Sequence, residues 1–398
     1  MLHQDNEETS EAQARPGPLE GLLVADFSRV LAGPYSTMLL GDMGATVIKV
    51  ESPAGDETRT WQPPERNGVP TYYLAINRNK RSVVLDFNDP ADLELAQELA
   101  QRADILIENF KPGGLKRFRL DYEAVQQRNA GVIYASISGF GTDKGASLPG
   151  YDLIVQAMSG LMSLTGDPAG PPYRAGIAVF DVMAGLQTTI GILAALNHRN
   201  RTGEGQHVEI SLYANALSCL VNHTSAYVAG GVVPHRMGNA HPSLFPYEPL
   251  PTADKELIIA CGNSGQFRKL CEVLGVPELS VDPRFARAED RNTNREALRP
   301  MLEERLKTRP ADEWFALLSA AGVPCGPINS IESGVKFGYD LGLDPVVEVG
   351  TGSQAVPMIR NPITFSRTPP RYELPPPALG QDNDLIRNWL SQKTAGEL

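Results

Sequence analysis

Short apolar runs rich in β-branched residues alternate with helical segments through the first half of the chain. The first two runs, 22–27 (LLVADF) and 45–50 (ATVIKV), flank a helical segment at 33–43. A strand, a helix and a second strand within about 30 residues predict a βαβ unit, and such units build parallel sheets. The alternation therefore predicts an α/β fold with a doubly wound sheet.

The same alternation of apolar runs and helical segments continues toward the middle of the chain. The additional strands are predicted at 81–87, 103–108, 131–136 and 207–212. The additional helices are predicted at 89–102 and 182–198. These elements extend the sheet and predict that it forms one large domain.

The character of the sequence changes after about residue 227. A stretch rich in Gly, Pro and His runs over 230–251, and a predicted strand at 257–261 precedes helices at 266–274, 292–306 and 311–321. We therefore expect a smaller second domain. The predicted organisation is a disordered leader over 1–18, a large domain over 19–225 that 330–398 completes, and a small domain with its linkers over 226–329.

Charge and cysteine content narrow the class of protein. The 398 residues carry a formal net charge of −11, which argues against a general nucleic-acid binder, because such binding needs clustered Lys and Arg. The four cysteines form no CxxC pair and lack His partners at zinc spacing, so we expect free thiols and no metal site. With no apolar signal core and no run of ~18 apolar residues, the sequence predicts a cytoplasmic protein without a membrane partner.

The turn after the first strand lacks the glycine motif of a dinucleotide-binding site. Residues 28–34 read SRVLAGP, whereas a dinucleotide site needs G-x-G-x-x-G at this point. Without those glycines the backbone cannot approach a pyrophosphate closely, so NAD or FAD binding is not favoured. Glu51, which ends the second strand, is interpreted as a solvated strand end.

Basic residues cluster beside two of the predicted strands. The first cluster is Arg78, Lys80 and Arg81, and the second is Lys111, Lys116 and Arg117. Alternate loops of an open parallel sheet gather at its ligand-binding edge, where such cations can hold a phosphorylated ligand. The alternative is that both runs are solvated faces.

Asp181 is the strongest single candidate for a reactive residue. It follows the small, apolar segment 175–180 and precedes the long predicted helix. One interpretation is structural, because Asp is a preferred helix N-cap. The other is catalytic, because a helix N-terminus favours an ionised carboxylate, and a carboxylate nucleophile must be ionised.

Several short motifs together resemble one protein family. In chain order they are 26–34 (DFSRVLAGP), 44–51 (GATVIKVE), 79–82 (NKRS), 108–113 (ENFKPG), 138–141 (SGFG), the segment up to Asp181, 201–206 (RTGEGQ) and 325–327 (CGP). Their order and spacing resemble those of the class III CoA-transferases, the CaiB/BaiF family that includes formyl-CoA transferase. The resemblance covers nearly the whole chain after the leader.

The resemblance implies a Rossmann-like large domain that binds coenzyme A, a smaller α+β domain that completes the site, and an interlocked homodimer. It also implies that coenzyme A enters as a thioester co-substrate and that no cofactor is permanently bound. The family's catalytic aspartate falls on Asp181. The implied coenzyme A contacts fall on or near Arg29, Val30, Ala32, Arg78, Lys80, Arg81, Asn109, Phe110, Arg117, Ser138, Gly139 and Phe140.

The expected function is transfer of coenzyme A from an acyl-CoA thioester to a carboxylic acid, through an aspartyl anhydride and an aspartyl-CoA thioester. Two alternatives stay open. The α-methylacyl-CoA racemases also resemble this chain, but they place a histidine where this chain has Tyr151, and a tyrosine with a pKa near ~10 is a poor base. A non-catalytic binder of CoA esters would use Asp181 only as a helix cap.

Overall fold

A computed structural model describes residues 16–352 and 355–392. Most of the predicted leader, residues 1–15, lies outside the described residues. The chain divides into two compact units: the larger comprises the described residues up to Ser159, Gly176–Thr224 and those from Asp344 onward, and the smaller comprises Gly160–Ala175 and Ser225–Leu343. In the structure the chain thus returns to the larger unit at Asp344, whereas the sequence prediction placed that return at residue 330.

Strands occur in both units of the chain. The described strands are β1 (Leu23–Asp26), β2 (Thr46–Glu51), β3 (Glu65–Arg66), β4 (Val69–Pro70), β5 (Lys80–Val84), β6 (Ile105–Glu108), β7 (Ile133–Ser138), β8 (Gln206–Ser211), β9 (Tyr247–Pro251), β10 (Glu256–Ala260), β11 (Cys325–Pro327), β12 (Val346–Val349) and β13 (Val356–Ile359).

Helices connect these strands and cover the sheet. The described α-helices are α1 (Ala32–Asp42), α2 (Thr71–Ala75), α3 (Pro90–Arg102), α4 (Tyr122–Gln126), α5 (Asp152–Ser159), α6 (Leu161–Leu164), α7 (Val179–Thr202), α8 (Leu212–Cys219), α9 (Val221–Val228), α10 (Ser264–Leu274), α11 (Ala288–Thr293), α12 (Arg295–Leu306), α13 (Ala311–Ala320), α14 (Ile331–Asp340) and α15 (Asn383–Ser391).

The larger unit is built on a six-stranded sheet with the order β5-β2-β1-β6-β7-β8. Every neighbouring pair in it is parallel, which confirms the predicted parallel α/β sheet. In chain order this is the Rossmann arrangement 3-2-1-4-5-6, in which the strand order reverses between β1 and β6. Ligands of such sheets bind in the crevice at the carboxyl ends of the strands, beside this reversal.

α7 and α1 pack closely against one another in the larger unit. A Cβ at Gly185 would lie 2.7 Å from the carbonyl oxygen of Ala32, so only glycine permits this approach. The buried hydroxyls of Ser36 and Thr189 lie 2.9 Å apart across the same contact. Within the described ranges, α7 is also the one helix with the length and apolar character to cross a membrane, a test that core helices also pass.

The C-terminal segment returns to the edge of the parallel sheet. Asn79 donates its backbone N–H to the carbonyl oxygen of Leu374 at 2.8 Å, and the N–H of Ser82 donates to Asp382 at 2.9 Å. α15 then packs against α3 and β5. The edge strand β5 is thereby covered by residues that lie about 300 positions later in the chain.

The smaller unit has an antiparallel sheet in the order β11-β10-β9. Its core is formed by the sheet together with α10, α12 and α13. β9 was missed by the sequence analysis, because Pro249 and Pro251 made its region resemble a loop. Proline is tolerated there because β9 lies at the edge of the sheet, where its missing N–H breaks no ladder.

Candidate active site

The carboxyl ends of β1, β6 and β7 surround a cavity of about 300 Å3 in the larger unit. Three loops and the first turn of α7 form its wall. The lining residues are Arg29, Val30, Leu31, Ala32, Glu57, Asn109, Phe110, Lys111, Pro112, Ile137, Ser138, Gly139, Phe140, Gly141, Gly145, Ala146, Leu148, Pro149, Gly150, Tyr151, Asp181 and Leu212. The cavity thus lies where the strand order reverses, as expected for a ligand site in this fold.

Most of the residues singled out in the sequence lie together in this cavity, although they come from four separate segments. They are Arg29, Val30, Ala32, Asn109, Phe110, Ser138, Gly139, Phe140 and Asp181. A sequence segment after β1 and another after β6 converge because the two strands are neighbours in the sheet.

Asn109 ties two of the cavity loops together. Its side-chain oxygen accepts the backbone N–H of Arg29 at 3.0 Å, and its amide donates to the carbonyl oxygen of Arg29 at 2.7 Å. The Arg29 guanidinium lies 5.6 Å from the centroid of the Phe110 ring and 3.3 Å from Glu57. Arg29 is half-exposed, so this cation is available to an anionic ligand.

Val30 lies in the left-handed region of backbone conformation, with φ of 69°. A β-branched residue is strained there, and such strain persists only where the surrounding structure holds it. The backbone N–H of Val30 donates to both carboxylate oxygens of Asp56 at 3.3 Å. Asp56 is itself held by the buried ammonium of Lys49 at 2.8 Å. The strained backbone at Val30 is therefore stabilised by a hydrogen bond to one member of a buried ion pair.

Two glycines set the shape of the opposite wall. A Cβ on Gly139 would lie 2.3 Å from the Cα of Gly150, so neither position accepts a side chain without movement of the backbone. The loop after β7 and the segment before α5 therefore touch through their backbones. This contact places Tyr151 on the cavity wall and starts α5 at Asp152.

Asp181 is the third residue of α7, and the N-cap position belongs to Ala178. The interpretation of Asp181 as an N-cap was therefore wrong. Asp152 supplies the missing acceptor instead: its Oδ1 accepts the backbone N–H of Phe180 at 2.8 Å and that of Asp181 at 3.3 Å. The Asp181 carboxylate is free to line the cavity.

The surroundings of Asp181 alter its protonation. Burial, followed by repulsion from the Asp152 carboxylate, raises the pKa of Asp181 from 3.8 to about 7. Burial, followed by the charges of Asp181 and Asp152, raises the pKa of Tyr72 to about 12. A carboxylate with a pKa near neutrality is more basic and more nucleophilic than an ordinary one, yet it is ionised in half of the molecules at pH 7.

Four of the predicted coenzyme A contacts lie elsewhere. Arg78 and Lys80 are buried, and they pair with Asp42 at 2.6 Å and with Asp26 at 3.1 Å. The prediction that these two cations touch a ligand does not fit their burial, because neither reaches the cavity surface. Sequence alone could not reveal that a basic run beside a strand points inward.

The other two lie on the surface of the larger unit but outside the cavity wall. Arg81 pairs with Asp382 at 3.4 Å and lines a separate cavity. Arg117 is exposed, with its guanidinium 4.4 Å from the centroid of the Phe118 ring. Lys111, which the sequence analysis grouped with Arg117, does line the cavity.

Glu51 also differs from its prediction. It was interpreted as a solvated strand end, but it is 4% exposed and accepts two hydrogen bonds from the guanidinium of Arg59, at 2.7 and 2.8 Å. Its second partner is the hydroxyl of Ser82 at 2.7 Å. Glu51 therefore belongs to the buried charge network below the cavity.

The fold and this site define a doubly wound α/β protein with a half-buried carboxylate at its ligand-binding edge. In the part of the chain that the structure describes, no group of three or more His, Cys, Asp or Glu residues is arranged to hold a metal ion. Comparison with known proteins gives the family. Residues 19–383 match the model of CoA-transferase family III.

Curated relatives and solved structures agree with that match. The chain is 45% identical to succinate–glutarate CoA-transferase of Agrobacterium fabrum, covering 92% of this chain and 94% of that protein. It is 39% identical to acetyl-CoA:oxalate CoA-transferase of Acetobacter aceti, covering 95% and 97%. A CaiB/BaiF family protein from Brucella suis has a similar crystal structure, with a TM-score of 0.84, 43% identity and coverage of 95% and 100%.

The chain belongs to CoA-transferase family III, as its motifs indicated. It is an enzyme of the acyl-CoA:carboxylate CoA-transferase class, and coenzyme A thioesters are its co-substrates. The predicted activity is thus confirmed.

Proposed function

We propose that Asp181 is the nucleophile of this CoA-transferase and that coenzyme A moves between carboxylic acids through covalent intermediates on its carboxylate. The observation that carries the proposal is the position of this side chain. It is a half-buried carboxylate at the ligand-binding edge of the sheet, and among the described residues no cation pairs with it and no hydrogen bond reaches it. A structural aspartate would have one or the other.

The proposed reaction consists of acyl transfers that exchange one carboxylate for another. The Asp181 carboxylate attacks the donor thioester carbonyl, and the CoA thiolate leaves, which gives an aspartyl–acyl anhydride. The thiolate then attacks the aspartyl carbonyl and releases the donor acid as its carboxylate, leaving an aspartyl-CoA thioester. The acceptor carboxylate attacks that thioester, and the expelled thiolate attacks the acceptor's acyl carbonyl, which regenerates Asp181.

The cavity supports binding of the coenzyme A part of the substrate. Arg29 and Lys111 provide cations on two of its loops, and phosphates bind such groups through charge-assisted hydrogen bonds. An adjoining cavity of about 510 Å3 shares Phe110 and Lys111 with the first and adds Lys116. We propose that coenzyme A lies across both cavities with its thioester end toward Asp181.

The acid substrates are proposed to be short dicarboxylic acids. The two curated relatives compared above are named for succinate and glutarate and for acetyl-CoA and oxalate, and three of these four acids have two carboxyl groups. Transfer rates for a panel of CoA esters and acids, measured by mass spectrometry, rank these acids as substrates. Oxalate distinguishes the two relatives, because it has no methylene between its carboxyl groups.

The nucleophile is tested by trapping the covalent intermediate. The enzyme is incubated with succinyl-CoA and glutarate, treated with hydroxylamine, and mapped by peptide mass spectrometry. We expect a hydroxamate on Asp181 and a fall in transfer of at least about 1,000-fold in Asp181→Asn. Transfer by Asp181→Asn within tenfold of wild type, with no hydroxamate on this residue, would falsify the proposal.

The control for this variant is Asp89→Asn, at an exposed aspartate that caps α3 away from the cavity. It is expected to transfer coenzyme A at the wild-type rate. In the same samples, incubation in deuterated water without an acceptor acid is expected to exchange no α-proton. Exchange would instead favour a racemase.

We further propose that the enzyme is a homodimer whose chains interlock, as the family resemblance implies. Apolar residues on α7 are exposed in the single chain, with Leu186 at 42%, Ile190 at 59% and Leu193 at 37%. Their spacing of four and three residues places them on one helix face, and a contiguous apolar face of this kind marks an interaction surface. Light scattering that gives a monomer mass at micromolar concentration would contradict the dimer.

We also propose a cytoplasmic location. Cys219, Cys261, Cys271 and Cys325 are all free in the structure, and unpaired cysteines are typical of a reducing compartment. Cell fractionation with an antibody against the native protein tests this location.

A further inference from the structure

A second aspartate, Asp152, lies beneath the reactive carboxylate and outside the cavity wall. We propose that Asp152 is a positioning residue: its carboxylate caps α7 in place of Asp181 and thereby keeps the Asp181 carboxylate free for chemistry. This inference rests on the proposed role of Asp181 as the nucleophile. It concerns a residue that does not line the cavity, so it acts through Asp181 and not on the substrate.

The geometry shows that Asp152 is occupied by the end of the neighbouring helix. Asp152 is the first residue of α5 and is 7% exposed. Its Oδ1 accepts the N–H groups of Phe180 at 2.8 Å and Asp181 at 3.3 Å, while its Oδ2 accepts the side-chain amide of Gln156 one turn later. α5 and α7 pack against each other, which fixes this arrangement.

The start of α7 needs an acceptor from outside its own N-cap. The first N–H groups of a helix have no partner within the helix, and Ala178 at the N-cap offers no side-chain acceptor. Asp152 supplies it by binding the N–H groups of Phe180 and Asp181, the second and third residues of α7. The Asp181 side chain makes no bond to its own helix among the described residues and faces the cavity.

The charge of Asp152 also acts on Asp181. The titratable or charged groups near this carboxylate are Asp152 on α5, Tyr72 on α2, and the cavity residues Arg29, Glu57, Lys111 and Tyr151. Asp152 is the charged group that contributes to the raised pKa of Asp181, second to burial. Removal of its charge therefore lowers the pKa of Asp181 and leaves more of it ionised in mildly acidic solution.

The experiment separates capping from charge with two variants of the whole enzyme. Asp152→Asn keeps an acceptor oxygen but removes the charge, so the acid limb of kcat/KM against pH is expected to move down by about one pH unit. Asp152→Ala removes both, so kcat is expected to fall at least about tenfold, with KM for succinyl-CoA changed less than about twofold.

Asp89→Asn is the matched control, because Asp89 caps α3 with the same two distances, 2.8 and 3.3 Å, to backbone N–H groups. A purely structural role would give Asp152 and Asp89 variants the same loss of thermal stability and no change in pH profile. Should Asp152→Asn not fold, Asp152→Ser, which keeps an uncharged cap, replaces it.

The inference is overturned if the pH profile of the uncharged variant overlays that of wild type and Asp152→Ala keeps its full kcat. That result would leave the nucleophile untouched, provided that Asp181→Asn is inactive in the same assay. Activity in Asp181→Asn would instead overturn the proposed function itself, so the two failures are distinguishable.

Discussion

Two groups of carboxylates in the larger unit differ in whether a cation accompanies them. Below the cavity, Asp26 pairs with Lys80, Asp42 with Arg78 and Asp56 with Lys49, at 3.1, 2.6 and 2.8 Å. Asp181 at the cavity and its neighbour Asp152 outside the cavity wall have no paired cation among the described residues. All five are aspartates; Asp26, Asp42, Asp56 and Asp152 are buried, whereas Asp181 is half-buried.

The presence of paired cations beside Asp26 and their lack beside Asp181 shift the two pKa values in opposite directions. Burial opposes the charge of Asp26, but Lys80 and Lys49, with the Ser28 and Thr37 hydroxyls, hold its pKa below the ordinary value. Burial and Asp152 together raise the pKa of Asp181 to about 7. The difference teaches that burial alone does not decide the pKa of an aspartate: the cations beside Asp26 hold its pKa low, and the lack of one beside Asp181 leaves its pKa raised.

The largest expected effect on stability comes from removing a cation from the paired group. Lys80→Met leaves the Asp26 carboxylate buried without its ion pair, and we expect a loss of about 3–5 kcal/mol in the free energy of unfolding. Urea denaturation followed by circular dichroism measures it. The double variant Asp26→Asn with Lys80→Met is expected to recover part of the loss, and a single-variant loss below about 1 kcal/mol would contradict the structural role of the pair.

Replacement of Asp181, which has no paired cation, should raise the free energy of unfolding instead of lowering it. Because its folded pKa is raised, ionised Asp181 destabilises the folded state above pH 7, and this cost disappears as the pH falls from about 7 toward 3.8. The free energy of unfolding of Asp181→Asn is therefore expected to exceed that of wild type by about 2 kcal/mol at pH 8. At pH 4 the two values should not differ. Urea curves at both pH values test this, and Asp26→Asn, as the control, should destabilise at pH 8.

A cation at the cavity rim should affect binding more than stability. Arg29→Gln is expected to weaken succinyl-CoA binding about tenfold, because one charge-assisted contact to phosphate is lost, and the loss should shrink at high salt. Isothermal titration calorimetry measures it. Arg309→Gln is the matched control, since its exposed pair with Glu313 at 3.4 Å resembles the Arg29–Glu57 pair at 3.3 Å. Equal weakening in both variants would argue against a role for Arg29.

The smallest expected effect comes from replacing Glu57, which competes with the ligand phosphates for Arg29. Glu57→Gln removes a carboxylate that pairs with Arg29 and repels phosphates, so affinity for succinyl-CoA is expected to rise about twofold to threefold. The free energy of unfolding should change by less than about 1 kcal/mol, because the pair is exposed. A weaker affinity in this variant would mean that Glu57 positions Arg29 for the ligand.

Much of the larger unit could be predicted from local pattern. The runs at 22–27 and 45–50 lie on β1 and β2, and the long helix predicted at 182–198 lies within α7. The segment 28–34 was predicted as the turn after the first strand, and the structure brings it into one cavity with the motif at 138–141. These predictions succeeded because β-branched runs and strand-end loops are encoded by residues adjacent in the chain.

Choices that depended on distant residues could not be made from the sequence. The alternative interpretation of Asp181 as an N-cap was wrong, because the acceptor that caps α7 is Asp152, which comes 28 residues before Phe180. Lys80 was counted as a ligand contact, but its partner Asp26 lies 54 residues earlier. In both cases the sequence shows a residue able to play either role, and only its spatial neighbours decide between them.

The sequence by itself determined the α/β alternation, the order of the motifs and the family to which they point, because each is written in contiguous residues. The tertiary structure alone decided which carboxylates meet a cation and which remain unpaired. The physical reason is that the protonation of a buried acid depends on charges and dipoles within a few ångströms of it, and the folding of the chain, not its order, sets those distances.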